Sequence, residues 1–226
     1  MRRTPRLSPS PLPPVALAAA LLGALIAAAG SARAEAPGFV PLFDGRSFAG
    51  WNGDFDVWRV EDGGIVAGSP DAAAPRNEFL ATDATYGDFE LRLEYKLEAS
   101  AAGNAGVQFR SVRIPNHHEV SGYQADIGPG YFGALYDESR RNKLLAVPAE
   151  RMVAAALAGG VDGWHAYRIR AEGNRIRLEL NGVETVDWTD PDAGIARTGM
   201  IALQIHGGMT GTIRYRNIRI RPLGGE

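Results

Sequence analysis

The segment Phe89-Glu90-Leu91-Arg92-Leu93-Glu94-Tyr95-Lys96-Leu97 alternates apolar and polar side chains without a fault. An extended strand sends successive side chains to opposite faces, so this pattern fits a strand with one buried and one polar face. Comparable segments recur. Residues 164–180 read as two strands around Glu172-Gly173-Asn174, and Asn181-Gly182 joins residues 176–180 to 183–186. A two-residue hairpin turn of this kind needs positive φ at both positions, which Asn and Gly tolerate. Residues 201–206 and 212–221 read as further strands. The one helical candidate, residues 149–158, is rich in alanine and stopped by Gly159-Gly160. Short strands at this spacing predict an all-β jelly-roll sandwich of two antiparallel sheets, with one short helix in a loop.

The first residues read as an address, not as part of the fold. Arg2, Arg3 and Arg6 precede an apolar run over 15–29, and Ala32-Arg33-Ala34 offers a cleavage site. That is the layout of a signal peptide over 1–34, with a folded domain over 38–223. The run is shorter than the roughly 20 residues of a membrane helix; an uncleaved anchor is the alternative. The expected location is periplasmic or secreted, with no membrane attachment after cleavage. The chain has no cysteine. That excludes disulfides, zinc-thiolate sites, a cysteine nucleophile and a lipid-modified cysteine. A net charge of −2 and no long basic run argue against nucleic acid as a partner.

Strand parity selects candidate functional residues. Every second side chain of a strand shares a face. By that rule Gln204 and His206 oppose Ile201, Leu203 and Ile205, and Gln124 and Asp126 oppose Ala125 and Ile127. Gln108 and Arg110 oppose Val107 and Phe109, and Arg92 and Glu94 oppose Leu91 and Leu93. These polar types predict one functional face, whereas the arginines of residues 168–177 read as plain solvated surface. Any sandwich has polar outer faces, so the inference rests on residue type and on the four strands being neighbours.

Several stretches carry a resemblance. Phe39-Val40-Pro41-Leu42-Phe43-Asp44-Gly45 followed by Gly50-Trp51, Tyr86-Gly87-Asp88-Phe89-Glu90-Leu91, and Gly103-Asn104-Ala105-Gly106-Val107-Gln108-Phe109-Arg110 come first. Gly122-Tyr123-Gln124-Ala125-Asp126-Ile127-Gly128, Leu135-Tyr136-Asp137-Glu138-Ser139-Arg140-Arg141, Leu203-Gln204-Ile205-His206 and Tyr215-Arg216-Asn217-Ile218 follow in order. Together they resemble the 3-keto-disaccharide hydrolase domain family, also described as 3-keto-glucoside 1,2-lyase/hydratase, with concanavalin A/laminin-G-like jelly rolls. Ala105 departs from the serine often found there.

The resemblance implies cleavage of a glycoside whose glucose carries a ketone at C3. Such a ketone acidifies the C2 proton; a base removes it, the C1 substituent leaves, and water adds back. The chemistry needs a base, an electrophile for the enolate oxygen and an acid for the leaving group. His206 suits the base or acid role, and Arg110 suits stabilisation of developing charge. Glu94 and Asp126 suit acid–base work, hydroxyl binding or, with His206, a divalent metal. Gln108, Gln124, Gln204 and Asn104 are candidates for binding sugar hydroxyls, and Trp51, Tyr123 and Tyr136 for stacking on a ring. Trp58 reads as core, His117 and His118 as a loop tip, and Glu138 and Arg140 as cleft wall or loop salt bridges. The expected partner is a small carbohydrate. The competing readings are a non-catalytic carbohydrate-binding module and a protein-binding domain. Chain exported from cells should begin at Glu35 by N-terminal mass spectrometry; recovery of exported chain only with Met1 retained would contradict the cleavage reading.

Overall fold

A computed structural model describes residues 37–99 and 103–224. The predicted signal peptide lies outside the described residues. The strands are β1 (Val40–Pro41), β2 (Trp51–Asn52), β3 (Trp58–Glu61), β4 (Gly64–Ala73), β5 (Glu78–Thr82), β6 (Phe89–Ala99), β7 (Ala105–Arg113) and β8 (Val120–Ile127). After them come β9 (Leu135–Glu138), β10 (Lys143–Ala146), β11 (His165–Glu172), β12 (Arg175–Leu180), β13 (Val183–Thr189), β14 (Met200–Ile205) and β15 (Thr210–Pro222). Helix α1 (Glu150–Ala156) separates β10 from β11. It is shorter than the predicted 149–158 and has no side-chain cap at Ala149.

The strands form two antiparallel sheets of a jelly-roll sandwich. The eight-stranded sheet runs β13-β12-β11-β6-β15-β4-β3, with β1 also on β15; the seven-stranded sheet runs β10-β9-β8-β7-β14-β5-β2. Consecutive strands often separate, as where β15 inserts between β6 and β4. The Asn181-Gly182 turn has φ of 50° and 83°, as its two-residue hairpin requires.

The apolar half of each alternating strand meets between the sheets. Leu91, Leu93 and Tyr95 of β6 and Tyr167 and Ile169 of β11 pack with Val107 and Phe109 of β7 and Ile201, Leu203 and Ile205 of β14. Trp58 belongs to this core. Two tyrosine hydroxyls reach across the sandwich to backbone carbonyls of the opposite sheet. The Tyr215 hydroxyl lies 3.1 Å from the Gly106 carbonyl and 2.9 Å from that of Gln204. Tyr167 donates to the Asp126 carbonyl at 3.2 Å. Two tyrosines of one sheet thus hold the backbone of β7, β8 and β14 in the other.

Arg168 and Arg170 of β11 are more than a solvated surface. Glu90, wholly buried on β6, receives ion pairs from Arg92, Arg168, Arg170 and Arg221. Burial pushes its carboxyl up, but the Arg168 and Arg92 guanidiniums override this and hold it down at about 2. Sequence alternation read residues 168–177 as solvated surface and did not show that Arg168 and Arg170 close over a buried carboxylate.

The tyrosine contacts carry a testable cost. Tyr215→Phe removes the one hydroxyl proton shared by two buried carbonyls and should lower the unfolding free energy by about 1–3 kcal/mol in urea titrations. An unchanged midpoint and slope would show that the hydroxyl adds nothing.

Candidate functional site

The outer face of the seven-stranded sheet carries rows of register-matched side chains. Phe79, Gln204, Gly106 and Asp126 form one row across β5, β14, β7 and β8. Ala81, Ala202, Gln108, Gln124 and Tyr136 form the next, and Glu138 stands opposite Gly122 beyond it. The expected grouping of Gln108, Gln124, Asp126 and Gln204 on one face is therefore present, with Tyr136 beside Gln124.

A directional chain of hydrogen bonds organises this face. The Ser111 hydroxyl lies 3.1 Å from Gln108 Oε1 and 3.0 Å from the Phe109 carbonyl, Gln108 Nε2 donates to Gln124 Oε1 at 2.5 Å, and Gln124 Nε2 to Asp126 Oδ1 at 2.5 Å. Each amide uses its oxygen as acceptor and its nitrogen as donor, so the chain points to the carboxylate. Glycine makes room for it. A Cβ on Gly106 would lie 2.6 Å from the Gln124 side-chain amide carbon, and one on Gly122 would lie 2.2 Å from Ser111 Oγ.

Gln204 is the exception. It is fully buried, and neither amide atom has a hydrogen-bond partner among the described residues. A buried amide left unpaired is costly, and native structures keep few. Asn104, just before β7, likewise has an unpaired buried Oδ1. These idle groups flank Asp126: Gln204 neighbours Gly106, which pairs with Asp126, and Asn104 precedes Ala105, which pairs with Ile127. Phe79, Ala81, Val120, Met200 and Ala202 make an apolar patch alongside. The middle of the face is closed to solvent, with Gln108, Gln124, Asp126 and Gln204 all buried.

The carboxyl groups here are electrostatically unlike Glu90. Burial, against the opposing Gln124 bond and with a smaller push from the Glu138 charge, raises Asp126 to about 7. Burial also raises Glu138 to about 7, helped by Glu119 and opposed by bonds from Ser139. Glu119 accepts from Asn77 at 2.9 Å through Oε1, while its buried Oε2 has no partner among the described residues. No guanidinium pairs with Asp126 or Glu138 among the described residues. Carboxyls poised near neutrality suit proton transfer.

Four expected site residues lie elsewhere. Glu94 is in the eight-stranded sheet, on its outer face, where Arg216 bonds it at 2.7 Å; parity assigns a face within a sheet but not the sheet. Arg110 is turned away by a β-bulge: Phe109 pairs with Tyr123 and Val112 with Ser121, so β7 spends one extra residue. Its backbone is left-handed, with φ 48°. Its buried guanidinium bonds the Gly87 and Gly173 carbonyls and Asp88. Trp51 is core, its indole N–H on the Leu42 carbonyl at 2.7 Å. Tyr123 is core too, stacked on Phe109 with its hydroxyl on Asp190.

His206 lies one residue past β14 and is exposed, with Nδ1 2.7 Å from the Gly207 carbonyl. Its amide bonds the Asn104 carbonyl, which leaves it at the rim of the face. The anticipated metal set of Glu94, Asp126 and His206 is not assembled. Among the described residues no three His, Asp or Glu side chains cluster as metal ligands. His117 and His118 stack on each other in the β7–β8 loop.

Sequence reasoning gave Glu138 only a wall role and passed over Glu119 and Ser111. Glu138 was within reach, since it stands two residues from Tyr136 on a strand. In the same motif, Arg140 and Arg141 bind buried Asp137, and Arg141 also binds Asp190. Arg140 lies 4.4 Å over the Tyr123 ring. They brace the end of β9, and neither bonds a carboxylate of the polar face.

The fold is a jelly-roll sandwich with a polar outer face on its seven-stranded sheet. Residues 38–221 match the 3-keto-α-glucoside-1,2-lyase-like domain, and the chain belongs to that family. Among solved structures, a provisionally assigned glycosyl hydrolase from Parabacteroides distasonis superposes with a TM-score of 0.63 at 21% identity, covering 83% of this chain and 94% of that one. The carbohydrate-binding module CBM66 from Bacillus subtilis gives 0.56 at 17%, covering 76% and 95%. At these identities the likeness is one of fold. No curated protein matches the sequence. Among the described residues no helix is long and apolar enough to cross a membrane.

A carboxyl with a higher pKa folded than unfolded holds its proton more tightly in the folded chain. Its stabilising share is whole below about pH 4 and is lost as pH rises through about 7. Asp126→Asn combined with Glu138→Gln should therefore flatten the fall in Tm between pH 4 and pH 8. A fall as steep as in the parent would contradict the raised values.

Proposed function

We propose that the protein cleaves 3-keto-glycosides by removing the C2 proton, expelling the C1 substituent and readding water. The observation that carries this reading is Asp126, with its raised pKa, beside the fully buried and unpaired amide of Gln204. Family membership supplies the substrate class.

In this scheme the Asp126 carboxylate takes the C2 proton, and the C–H electrons move onto the C3 oxygen as an enolate. The Gln204 amide N–H is suited to that oxygen, since a donor already desolvated and unpaired loses nothing on engaging it. The electrons then return to form the C1–C2 double bond as the C1–O bond breaks. The leaving oxygen gains a proton from a carboxylic acid, for which Glu138 is suited. Water adds its hydroxyl to C1 and a proton to C2, giving 3-keto-glucose. Glu138 stands opposite Gly122 and Asp126 lies four residues further along β8. The two are thus roughly 13 Å apart along the backbone, with Gln124 and Tyr136 as a floor between them. The C2 proton and the C1 oxygen sit on neighbouring carbons, so the two side chains must lean toward each other over Gln124 and Tyr136 to reach them.

Run in D2O, the reaction should place deuterium at C2 of the released 3-keto-glucose, read by NMR; retained hydrogen there would exclude C2 deprotonation. Asp126→Asn should lower turnover by about 10²-fold or more. Undiminished turnover would remove Asp126 from the mechanism. Binding of unmodified glycans with no cleavage of keto-glycosides would favour a binding module.

A further inference from the structure

A groove on the opposite side of the molecule stands apart from this chemistry. On the outer face of the eight-stranded sheet, Glu61, Asp62, Lys96, Glu98, Trp164, Arg214 and Arg216 line a space of about 360 Å³. That is within the range of small-ligand sites. Trp51 and Trp58 are buried, but Trp164 is 36% exposed. The Arg216 guanidinium lies 3.8 Å from its ring centroid, and Glu94 holds that guanidinium in turn. An exposed indole fixed in orientation by a stacked, ion-paired arginine is a ready platform for an apolar ring face.

The polar lining is charge-balanced. Lys96, Arg214 and Arg216 face Glu61, Asp62 and Glu98, so the groove selects for neither ion. Glu98 bonds Lys96 at 2.7 Å and Arg214 at 3.3 Å, and Arg214 also bonds Glu61 at 2.8 Å. These pairs fix a row of donors and acceptors. Arg214 holds Glu61 ionised and Lys96 holds Glu98 ionised, so neither is poised for proton transfer. Alternating fixed donors and acceptors beside an aromatic face match a neutral chain of pyranose rings, whose vicinal hydroxyls both donate and accept.

We infer that this groove is a second, non-catalytic saccharide site that binds unmodified neutral glycan, through Trp164 and the Glu61–Arg214–Glu98–Lys96 row. It does not depend on the proposed reaction, because it lies across the sandwich from Asp126.

The test uses the full-length protein with maltohexaose, cellohexaose and laminarihexaose as probes, followed by the tryptophan indole N–H resonances. At least one probe should shift the Trp164 resonance saturably. Trp164→Ala should weaken that probe's binding by about tenfold or more. Lys96→Gln, at the end of the charged row, should also weaken it, with an unchanged Tm showing that the fold is intact. Asp126→Asn should leave it intact, which separates this site from the proposed catalytic one. A Trp164 resonance unmoved by all three probes, or affinity unchanged in both groove variants, would overturn the inference. So would a response confined to a polyanion such as sodium polyphosphate.

Discussion

The hydrogen-bond chain from Ser111 through Gln108 and Gln124 to Asp126 is the constraint on which the polar face depends. It crosses only two strands, yet it fixes the orientation of two buried amides and ends on a buried carboxyl. Without it, two strands would present buried polar side chains with no defined direction. The chain runs flat over the sheet because Gly106 and Gly122 lack a Cβ that would collide with it. Behind it, Tyr167 and Tyr215 hold the carbonyls of Asp126, Gly106 and Gln204 from across the core. The face is therefore braced from both sides, and Gln204 remains free to bond something else.

Two buried carboxyls show how environment divides structure from chemistry. Glu90 sits among four guanidiniums and is held ionised, a structural anchor for the eight-stranded sheet. Asp126 is as deeply buried but has one neutral amide as its side-chain partner, with the negative Glu138 near it. Desolvation wins at Asp126 and loses at Glu90. The contrast sets Asp126, like Glu138, apart as a carboxyl raised toward neutrality, whereas Glu90 is held ionised.

The alternation of β6, β11, β12 and β14 was plain in the sequence because half-buried strands write their faces at period two. So was the Asn181-Gly182 turn, whose chemistry is local. The same rule put Gln108, Gln124, Asp126 and Gln204 on one face of their sheet. It could not foresee the bulge after Phe109, since one extra residue reverses the parity of Arg110 without leaving a turn motif. Nor could it assign Glu94 to the other sheet, because strand order here is set by long-range pairing and not by chain order. Aromatic identity alone did not distinguish Trp51 and Tyr123, which pack in the core, from Tyr136, which borders the polar face. Their strand parity did carry that information for Tyr123, which alternates with Gln124.

The central claim is that a keto-sugar occupies the outer face of the seven-stranded sheet, over Gln124 and Tyr136. A crystal structure of the protein bound to a non-cleavable 3-keto-glycoside, such as a C1-linked carba analogue, tests it most directly. The ring should lie with C2 within hydrogen-bond reach of Asp126 and the C3 oxygen on the Gln204 amide. A sugar seated anywhere else, with Gln204 still unpaired, would contradict the account.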